Sequence, residues 1–110
     1  MKDNKIFLKH ILESMDYIEQ FIKNKPKEEF KESIQLQDAI IRRLEIIGEA
    51  VKNMDESFKE ANKNVEWKKI AGMRDIIIHK YFGIDLELVW NVILDDLPKL
   101  KKEVKKILNK

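Results

Sequence analysis

The sequence predicts an all-α protein that folds as an up-and-down bundle of four to five helices. Apolar residues recur at steps of three and four in several segments, and this spacing places them on one face of a helix. No segment alternates apolar and polar residues as a half-buried strand does, and the connections between the periodic segments are short. Such helices bury their apolar faces against one another, which is why a bundle is expected.

The first two long helices are defined by their apolar repeats and by the residues between them. One helix is expected from about Asn4 to Lys23, because Pro26 follows and cannot continue it. Residues 26–32 form a charged connector that includes a helical turn, and Ser33 can cap the second long helix. That second helix carries the most regular apolar repeat of the chain, which is typical of a bundle seam. The repeat consists of Leu36, Ile40, Leu44, Ile47, Val51 and Met54.

The second half of the chain is expected to contain three further helices. Residues 55–64 are polar and predict a loop with a short helix. A third helix is expected to begin near residues 65–66 and to end near Gly83. Asp85 can cap a fourth helix, and Pro98 suits the first turn of a fifth.

Composition excludes several classes of function. The 110 residues suffice for one domain with one core, and residues 1–110 are expected to form it. The chain has no cysteine, which excludes disulfides, thiolate metal sites and cysteine nucleophiles. The net charge is +2, so any binding of nucleic acid depends on where the basic residues lie. No signal-peptide run follows the charged start, and no apolar run approaches the ~18 residues of a membrane span, so a cytoplasmic location without membrane contact is expected.

Polar residues beside the seam of the second long helix allow two interpretations. In the first, they form a solvated face in which Asp38 and Arg42 pair. In the second, Glu49 lines an interface, because a glycine and an alanine flank it and let another backbone approach closely. Arg42 and Glu49 are therefore candidate cleft-lining residues.

Three other features have an ordinary structural explanation. His10, with Glu13 three residues later, could contribute to a metal site, but the second such pair that a two-metal bundle site needs is missing. We therefore expect His10 at the surface and predict neither a metal nor a cofactor. Trp67 and Trp90 could stack on bases, but their apolar helical faces favour the core. The last helix has lysines that could follow a phosphate backbone but more often form a solvated face. These are Lys99, Lys101, Lys102, Lys105, Lys106 and Lys110.

Residues 72–83 gather more reactive side chains than any other stretch, because Arg74, Asp75, His79 and Tyr81 all lie within it. On a helix, Asp75 and His79 are about one turn apart, so the carboxylate can hold one imidazole nitrogen and orient the other outward. Arg74 and Tyr81 share a face, but Arg74 and His79 lie ~140° apart on an ideal helix. A second copy in a two-fold dimer would bring two sets of these groups to one cleft.

These groups suit the cleavage of a phosphodiester. A histidine with a pKa near ~6.5 can take or give a proton at neutral pH, and an arginine can hold a phosphate and stabilise charge on its oxygens. RNA carries its own nucleophile, the 2′-hydroxyl, so the reaction does not require a metal. A purely structural interpretation stays open, in which Arg74 pairs with a carboxylate, His79 lies at the core boundary and Tyr81 lies in the core.

The same stretch resembles a known family. The pattern Arg-x4-His-x-Tyr, formed by Arg74, His79 and Tyr81, resembles the signature of HEPN domains, and in particular that of the HepT-like family. The similarity continues along almost the whole chain, in order. It includes Arg43–Ala50, Trp67, Gly72–Asp75, Val89–Trp90 and Asp96–Leu100.

The resemblance implies a helical-bundle homodimer in which the motifs of both copies face one cleft. HepT-like proteins act as metal-independent RNases, as toxins of toxin–antitoxin modules whose antitoxin is an MntA-type minimal nucleotidyltransferase. The resemblance thus implies that Arg74 and His79 are catalytic towards RNA and that the partner silences the toxin by AMPylation of Tyr81. Many HEPN domains have asparagine where this chain has Asp75.

Two alternatives to a ribonuclease remain at this point. One is a non-catalytic subunit that binds a nucleotide or docks onto a nucleotidyltransferase, and it is favoured by the extra negative charge of Asp75 and by the low net charge. The other is a structural helical dimer in which Arg74 and His79 pair internally. A cleft lined by both side chains would count against the structural dimer.

Overall fold

The computed structural model describes residues 3–78 and 85–109, and for residues 74 and 76–78 it describes the backbone alone. All the regular secondary structure in these ranges is helical, as predicted. The helices are α1 (Asn4–Ile22), α2 (Lys27–Glu32), α3 (Ile34–Asn53), α4 (Glu56–Ala61), α5 (Trp67–Ile78), α6 (Leu86–Asn91) and α7 (Leu97–Leu108), with a π-helical turn at Val92–Asp96. None of these described helices is long and apolar enough to cross a membrane.

Local signals fix where the helices begin and end. The Ser33 hydroxyl accepts a hydrogen bond from the backbone N–H of Leu36 at 3.1 Å, which confirms it as the cap of α3. The Asp85 carboxylate accepts one from the N–H of Leu88, also at 3.1 Å, which confirms it as the cap of α6. A cap of this kind typically contributes ~1 kcal/mol. Helix α1 ends at Ile22, close to the predicted boundary.

Helix α3 lies at the centre of the bundle, because it packs against both α1 and α5. Helix α7 packs against α1 and adds Leu100 and Val104 to the same core. Burial of such side chains is the main contribution to stability, at roughly 1.5–3 kcal/mol for each large residue that is fully buried. The predicted seam of α3 is buried along its whole length. It consists of Leu36, Ile40, Leu44, Ile47 and Val51 within α3 and of Met54, which directly follows the helix.

Both tryptophans lie in the core, as predicted. The indole Nε1 of Trp67 donates a hydrogen bond to the carbonyl oxygen of Asn62 at 3.0 Å, so its polar atom is paired while the ring is buried. The ring of Trp90 stacks on Phe30 with the centroids 5.3 Å apart. This contact packs α2 against α6.

Charged side chains also hold α2 to the beginning of α6. Lys27 Nζ lies 3.0 Å from Glu87 Oε2, and Lys31 pairs with the same carboxylate. The hydrogen bond from Lys31, and then that from Lys27, lowers the pKa of the Glu87 carboxyl. Helix α6, which follows the central stretch in sequence, is therefore attached to α2 by ion pairs near its start and by ring stacking near its end.

The predicted fourth and fifth helices form one helical segment. Helix α6 leads into α7 through the π-helical turn, with no loop between them. Pro98 lies in the first turn of α7, as predicted. In a regular α-helix proline lacks the N–H for one hydrogen bond, and its ring clashes with the carbonyl four residues earlier. The wider turn, in which the N–H of Leu97 donates to the carbonyl of Val92, accommodates Pro98 without ending the helix.

Candidate active site

Helix α5 carries the first residues of the central stretch and has one buried face. Met73 is buried, and Ile70 packs against the same core. Asp75 is about 200° around the helix from Met73, at ~100° per residue, and its side chain is 51% exposed. The backbone of Arg74 lies between them in the same helix. Helix α5 therefore directs Met73 to the core and Asp75 to the surface.

An ion pair joins Asp75 to helix α3. Lys52 lies in the last turn of α3, and its Nζ is 3.8 Å from Asp75 Oδ1. This distance is longer than a hydrogen bond, so the contact is electrostatic. The Lys52 side chain is 40% exposed, so water screens the attraction. The pair nevertheless places the end of α3 beside the part of α5 that carries Arg74.

The two other candidate residues on α3 lie at different distances from Lys52. Glu49 is exposed and about one turn earlier, so it is a near neighbour of Lys52 on the helix surface. Arg42 is about 15 Å from Lys52 along the axis, at ~1.5 Å per residue. Arg42 pairs with Glu45 at 3.9 Å rather than with Asp38, the partner given in the first of the two interpretations. Both carboxylates are about one turn from Arg42, but Glu45 is the more buried and loses less freedom on pairing.

Three predicted site features lie outside the part of the chain that the structure describes. These are the side chain of Arg74 and the whole of His79 and Tyr81. The predicted contact between Asp75 and His79 lies outside it for the same reason. The catalytic roles of Arg74 and His79 and the modification of Tyr81 therefore stay predictions. The described helices bring together the end of α5 and the end of α3, which carry Asp75, Lys52 and Glu49.

Sequence reasoning missed Lys52. The chain contains many lysines, and the spacing of Lys52 from Glu49 suggests only a local pair within α3. The contact with Asp75 depends on how α3 and α5 pack, which the spacing within a single helix does not reveal. The available signal was its place in the last turn of a helix, where a cation also interacts favourably with the helix dipole.

The lysines of α7 are paired in part with acidic side chains. Lys101 Nζ lies 2.8 Å from Glu19 Oε1 and 3.2 Å from Asp16 Oδ1, both on α1. The hydrogen bond to Glu19 raises the pKa of the Lys101 ammonium, and Asp16 adds to this effect. Lys106 pairs with Glu103 at 3.5 Å. Lys99, Lys102, Lys105 and Lys106 are exposed, as expected for a solvated face, whereas Lys101 is half-buried against α1 and Lys110 lies outside the described residues.

The first histidine of the chain takes the ordinary position expected for it. His10 is exposed on α1, and Glu13 is exposed about one turn later. Within residues 3–78 and 85–109, no three or more histidine, aspartate or glutamate side chains are arranged to hold a metal ion.

A groove of about 410 Å³ lies between α5 and the segment formed by α6 and α7. Its lining includes the apolar side chains of Ile70, Met73 and Leu100. Lys69 and Asp96 lie at its edge and pair at 3.5 Å. Because Met73 lines it, the groove is on a different face of α5 from Asp75 and is separate from the contact with Lys52.

Comparison with known proteins gives matches along nearly the whole chain. The family described as Ribonuclease HepT-like matches residues 11–107. A Methanocaldococcus jannaschii protein named "Gamma-glutamylcyclotransferase and putative RNase" is 54% identical over 107 residues, which are 97% of this chain and 48% of that protein. The chain thus spans about half the length of that relative.

Other relatives match over nearly their full length. A "Putative RNase" of Caldanaerobacter subterraneus is 44% identical over 110 residues, which are 100% of this chain and 98% of that protein. A "Probable ribonuclease HepT" of Thermococcus cleftensis is 39% identical over 106 residues, or 96% of each chain. No solved structure matches the chain. The family match and these relatives confirm the resemblance seen in the sequence: the chain belongs to the HepT-like family of HEPN-domain proteins.

Proposed function

We propose that this protein is a metal-independent endoribonuclease of the HEPN type, which cleaves RNA with Arg74 and His79 at the cleft of a homodimer. The observation that carries the proposal is the family match over residues 11–107, which includes the whole Arg-x4-His-x-Tyr sequence. The names of three relatives, each of which includes an RNase activity, support the same chemistry.

In the proposed mechanism, His79 moves protons and Arg74 holds the scissile phosphate. His79 of one protomer takes the proton of the RNA 2′-hydroxyl, and the 2′-oxygen then bonds to the adjacent phosphorus. The bond from phosphorus to the 5′-oxygen breaks, and the partner subunit's His79, in its protonated form, gives that oxygen a proton. Arg74 stabilises the negative charge on the non-bridging oxygens. The products are a 2′,3′-cyclic phosphate and a 5′-hydroxyl.

Asp75 is proposed to orient the imidazole of His79. Residues four apart on a helix are neighbours, and α5 presents the Asp75 carboxylate at its surface. An imidazole that donates one ring N–H to a carboxylate presents its other nitrogen for proton transfer. The contact also stabilises the charged imidazolium that forms when His79 takes a proton.

The proposed partner is an MntA-type minimal nucleotidyltransferase that acts as an antitoxin by AMPylating Tyr81. Tyr81 and Arg74 share a helix face in the sequence pattern. An AMP group on Tyr81 would add an anionic phosphate that competes with RNA for Arg74 and a nucleoside that fills the cleft. Co-expression with the partner should therefore give a protein whose intact mass is raised by one adenylyl group and which no longer cleaves RNA.

Cleavage of single-stranded RNA by the purified protein in excess EDTA tests the proposal. We expect cleavage by the parent protein and a loss of about 10²–10⁴-fold in rate for His79→Ala, the range for removal of a general acid or base. Arg74→Ala should lose about 10²–10³-fold. His10→Ala removes the other histidine, which is exposed on α1, and should cleave like the parent. Equal cleavage by the parent and His79→Ala would overturn the proposal.

A second candidate function is favoured by the carboxylate of Asp75. Its negative charge is close in sequence to Arg74 and opposes the binding of a phosphate, which asparagine would not do. The protein would then be a non-catalytic subunit that binds a nucleotide or docks onto a nucleotidyltransferase. This function requires a stable complex with the nucleotidyltransferase and no RNA cleavage at any pH. Toxicity of the protein when it is expressed without the partner favours the ribonuclease.

A further inference from the structure

Lys59 and Lys52 both make contacts near the end of α3, but their ammonium groups differ in partners and in exposure. Lys59 Nζ lies 3.0 Å from Glu56 and donates a hydrogen bond to the carbonyl oxygen of Val51 at 3.2 Å. The Lys59 side chain is only 12% exposed, so its ammonium is committed to contacts within the fold. Lys52, in contrast, is 40% exposed and lies 3.8 Å from Asp75.

The contact with Asp75 leaves the Lys52 ammonium able to bind a second anion. A lysine ammonium has three hydrogen-bond donors on a flexible stem. At 3.8 Å the Asp75 carboxylate attracts this ammonium without a hydrogen bond of ordinary length. A phosphate oxygen can therefore approach to hydrogen-bond distance without first breaking such a bond.

Lys52 also offsets acidic groups beside the candidate site. Asp75 directly follows Arg74 in α5, and Glu49 is about one turn before Lys52 in α3. Lys52 supplies a positive charge close to both carboxylates. Loss of the Lys52 charge makes this surface more negative, which disfavours the binding of an RNA phosphate.

We propose that Lys52 binds a backbone phosphate of single-stranded RNA, next to the phosphate that Arg74 holds. This inference rests on the proposed ribonuclease function. When RNA is bound, the ammonium hydrogen-bonds a phosphate oxygen and keeps its electrostatic contact with Asp75. Asp75 thus stays neutralised while it orients His79, and the aspartate at this position is compatible with RNA binding.

The test measures RNA binding without cleavage. The probe is a fluorescein-labelled single-stranded RNA in which every ribose is 2′-O-methylated, so that the nucleophile of the cleavage reaction is blocked. Fluorescence anisotropy gives its dissociation constant at a series of NaCl concentrations for the parent, Lys52→Gln and Lys52→Arg. The matched control is Lys69→Gln, which also removes a lysine from an ion pair between helices, at 3.5 Å from Asp96, but near the start of α5.

The salt dependence separates a phosphate contact from a structural effect. Each phosphate contact contributes about 0.7 to the slope of log K against log salt for a single strand, so its loss weakens binding about fivefold at ~0.1 M salt. We expect Lys52→Gln to show both changes, Lys52→Arg to keep the parent slope and Lys69→Gln to resemble the parent. A parent-like slope for Lys52→Gln, or a loss of affinity no greater than that of Lys69→Gln, would overturn the inference.

The inference and the ribonuclease function fail in different experiments. A parent protein that binds the methylated probe but leaves unmodified RNA intact contradicts the ribonuclease function, and the slope for Lys52→Gln still decides the role of Lys52. A parent protein that does not bind the probe overturns the role of Lys52. Circular dichroism of each variant should show the thermal unfolding of the parent, because the Lys52 side chain is outside the core.

Discussion

Lysines take part in two contacts between helices, that of α1 with α7 and that of α3 with α5, but their geometries differ. Lys101 on α7 lies within 3.2 Å of two carboxylates of α1, and the hydrogen bond to Glu19 raises the pKa of its ammonium. Lys52 on α3 lies 3.8 Å from the single carboxylate oxygen of Asp75, beyond hydrogen-bond distance. The first arrangement uses the donors of the lysine to hold two helices together. The second leaves donors that can turn to a ligand.

This contrast indicates that an ion pair close to a candidate site does not necessarily serve to stabilise the fold. Exposed pairs contribute little to folding, typically ~0–1 kcal/mol. The bundle is held mainly by the apolar side chains of α1, α3, α5 and α7. Substitutions can therefore be divided into those that weaken the bundle and those that change the site, and each of the following experiments tests that division.

The largest effect on stability is expected from the seam of α3. Leu44 is fully buried, so Leu44→Ala should lower the free energy of unfolding by about 2–5 kcal/mol through lost burial and a cavity. Ile34 begins the same helix but is 72% exposed, so Ile34→Ala should change it by less than about 0.5 kcal/mol. Urea unfolding measures both values. A similar loss for the two variants would contradict the assignment of the α3 seam to the core.

A smaller effect on stability is expected from the contact between α1 and α7. Lys101→Gln should lower the free energy of unfolding by up to about 1 kcal/mol, with no change in RNA binding. Because the pKa of Lys101 is raised in the folded protein, this contribution is present below the ordinary value of 10.5 and is lost as the pH rises through the raised value.

Thermal unfolding of the parent and Lys101→Gln across this pH range checks the direction in which the stability contributed by Lys101 changes with pH. The stability difference between the two proteins should be constant at neutral pH and should shrink at alkaline pH. Lys101→Gln should thus change stability but not RNA binding. Lys52→Gln should change the salt dependence of RNA binding but not stability. An equal loss of RNA affinity in both variants would show that the two contacts do not differ in function.

The parts of the fold that depend on neighbours in sequence were predictable. The apolar repeat of α3 and the caps Ser33 and Asp85 needed no knowledge of the tertiary structure, because their signals lie within a few residues of the elements they define. Pro98 was correctly placed in a first turn, but the uninterrupted passage from α6 to α7 was not predicted. A π-helical turn depends on packing of both flanking segments, and a proline is an ambiguous sign of where a helix ends.

The candidate site was predictable as a motif but not as a set of contacts. Arg74, His79 and Tyr81 attract attention because of their chemistry and spacing, and the family match covers all three positions. The contact of Lys52 with Asp75 joins two helices whose relative register is set by core side chains, so no local pattern indicates it. Arg42 pairs with Glu45 rather than Asp38, and spacing alone does not decide between two carboxylates that both lie about one turn away.

The chemical ends of the RNA fragments released in EDTA distinguish attack by the 2′-hydroxyl from attack by water. Mass spectrometry of these fragments should find 2′,3′-cyclic phosphates and 5′-hydroxyls, and a single 2′-deoxyribose should protect its own 3′ linkage from cleavage. Both results follow if the 2′-hydroxyl is the nucleophile and His79 and Arg74 assist it. Fragments with 3′-hydroxyl and 5′-phosphate ends, or cleavage at the deoxyribose, would contradict the account, because those products require water as the nucleophile.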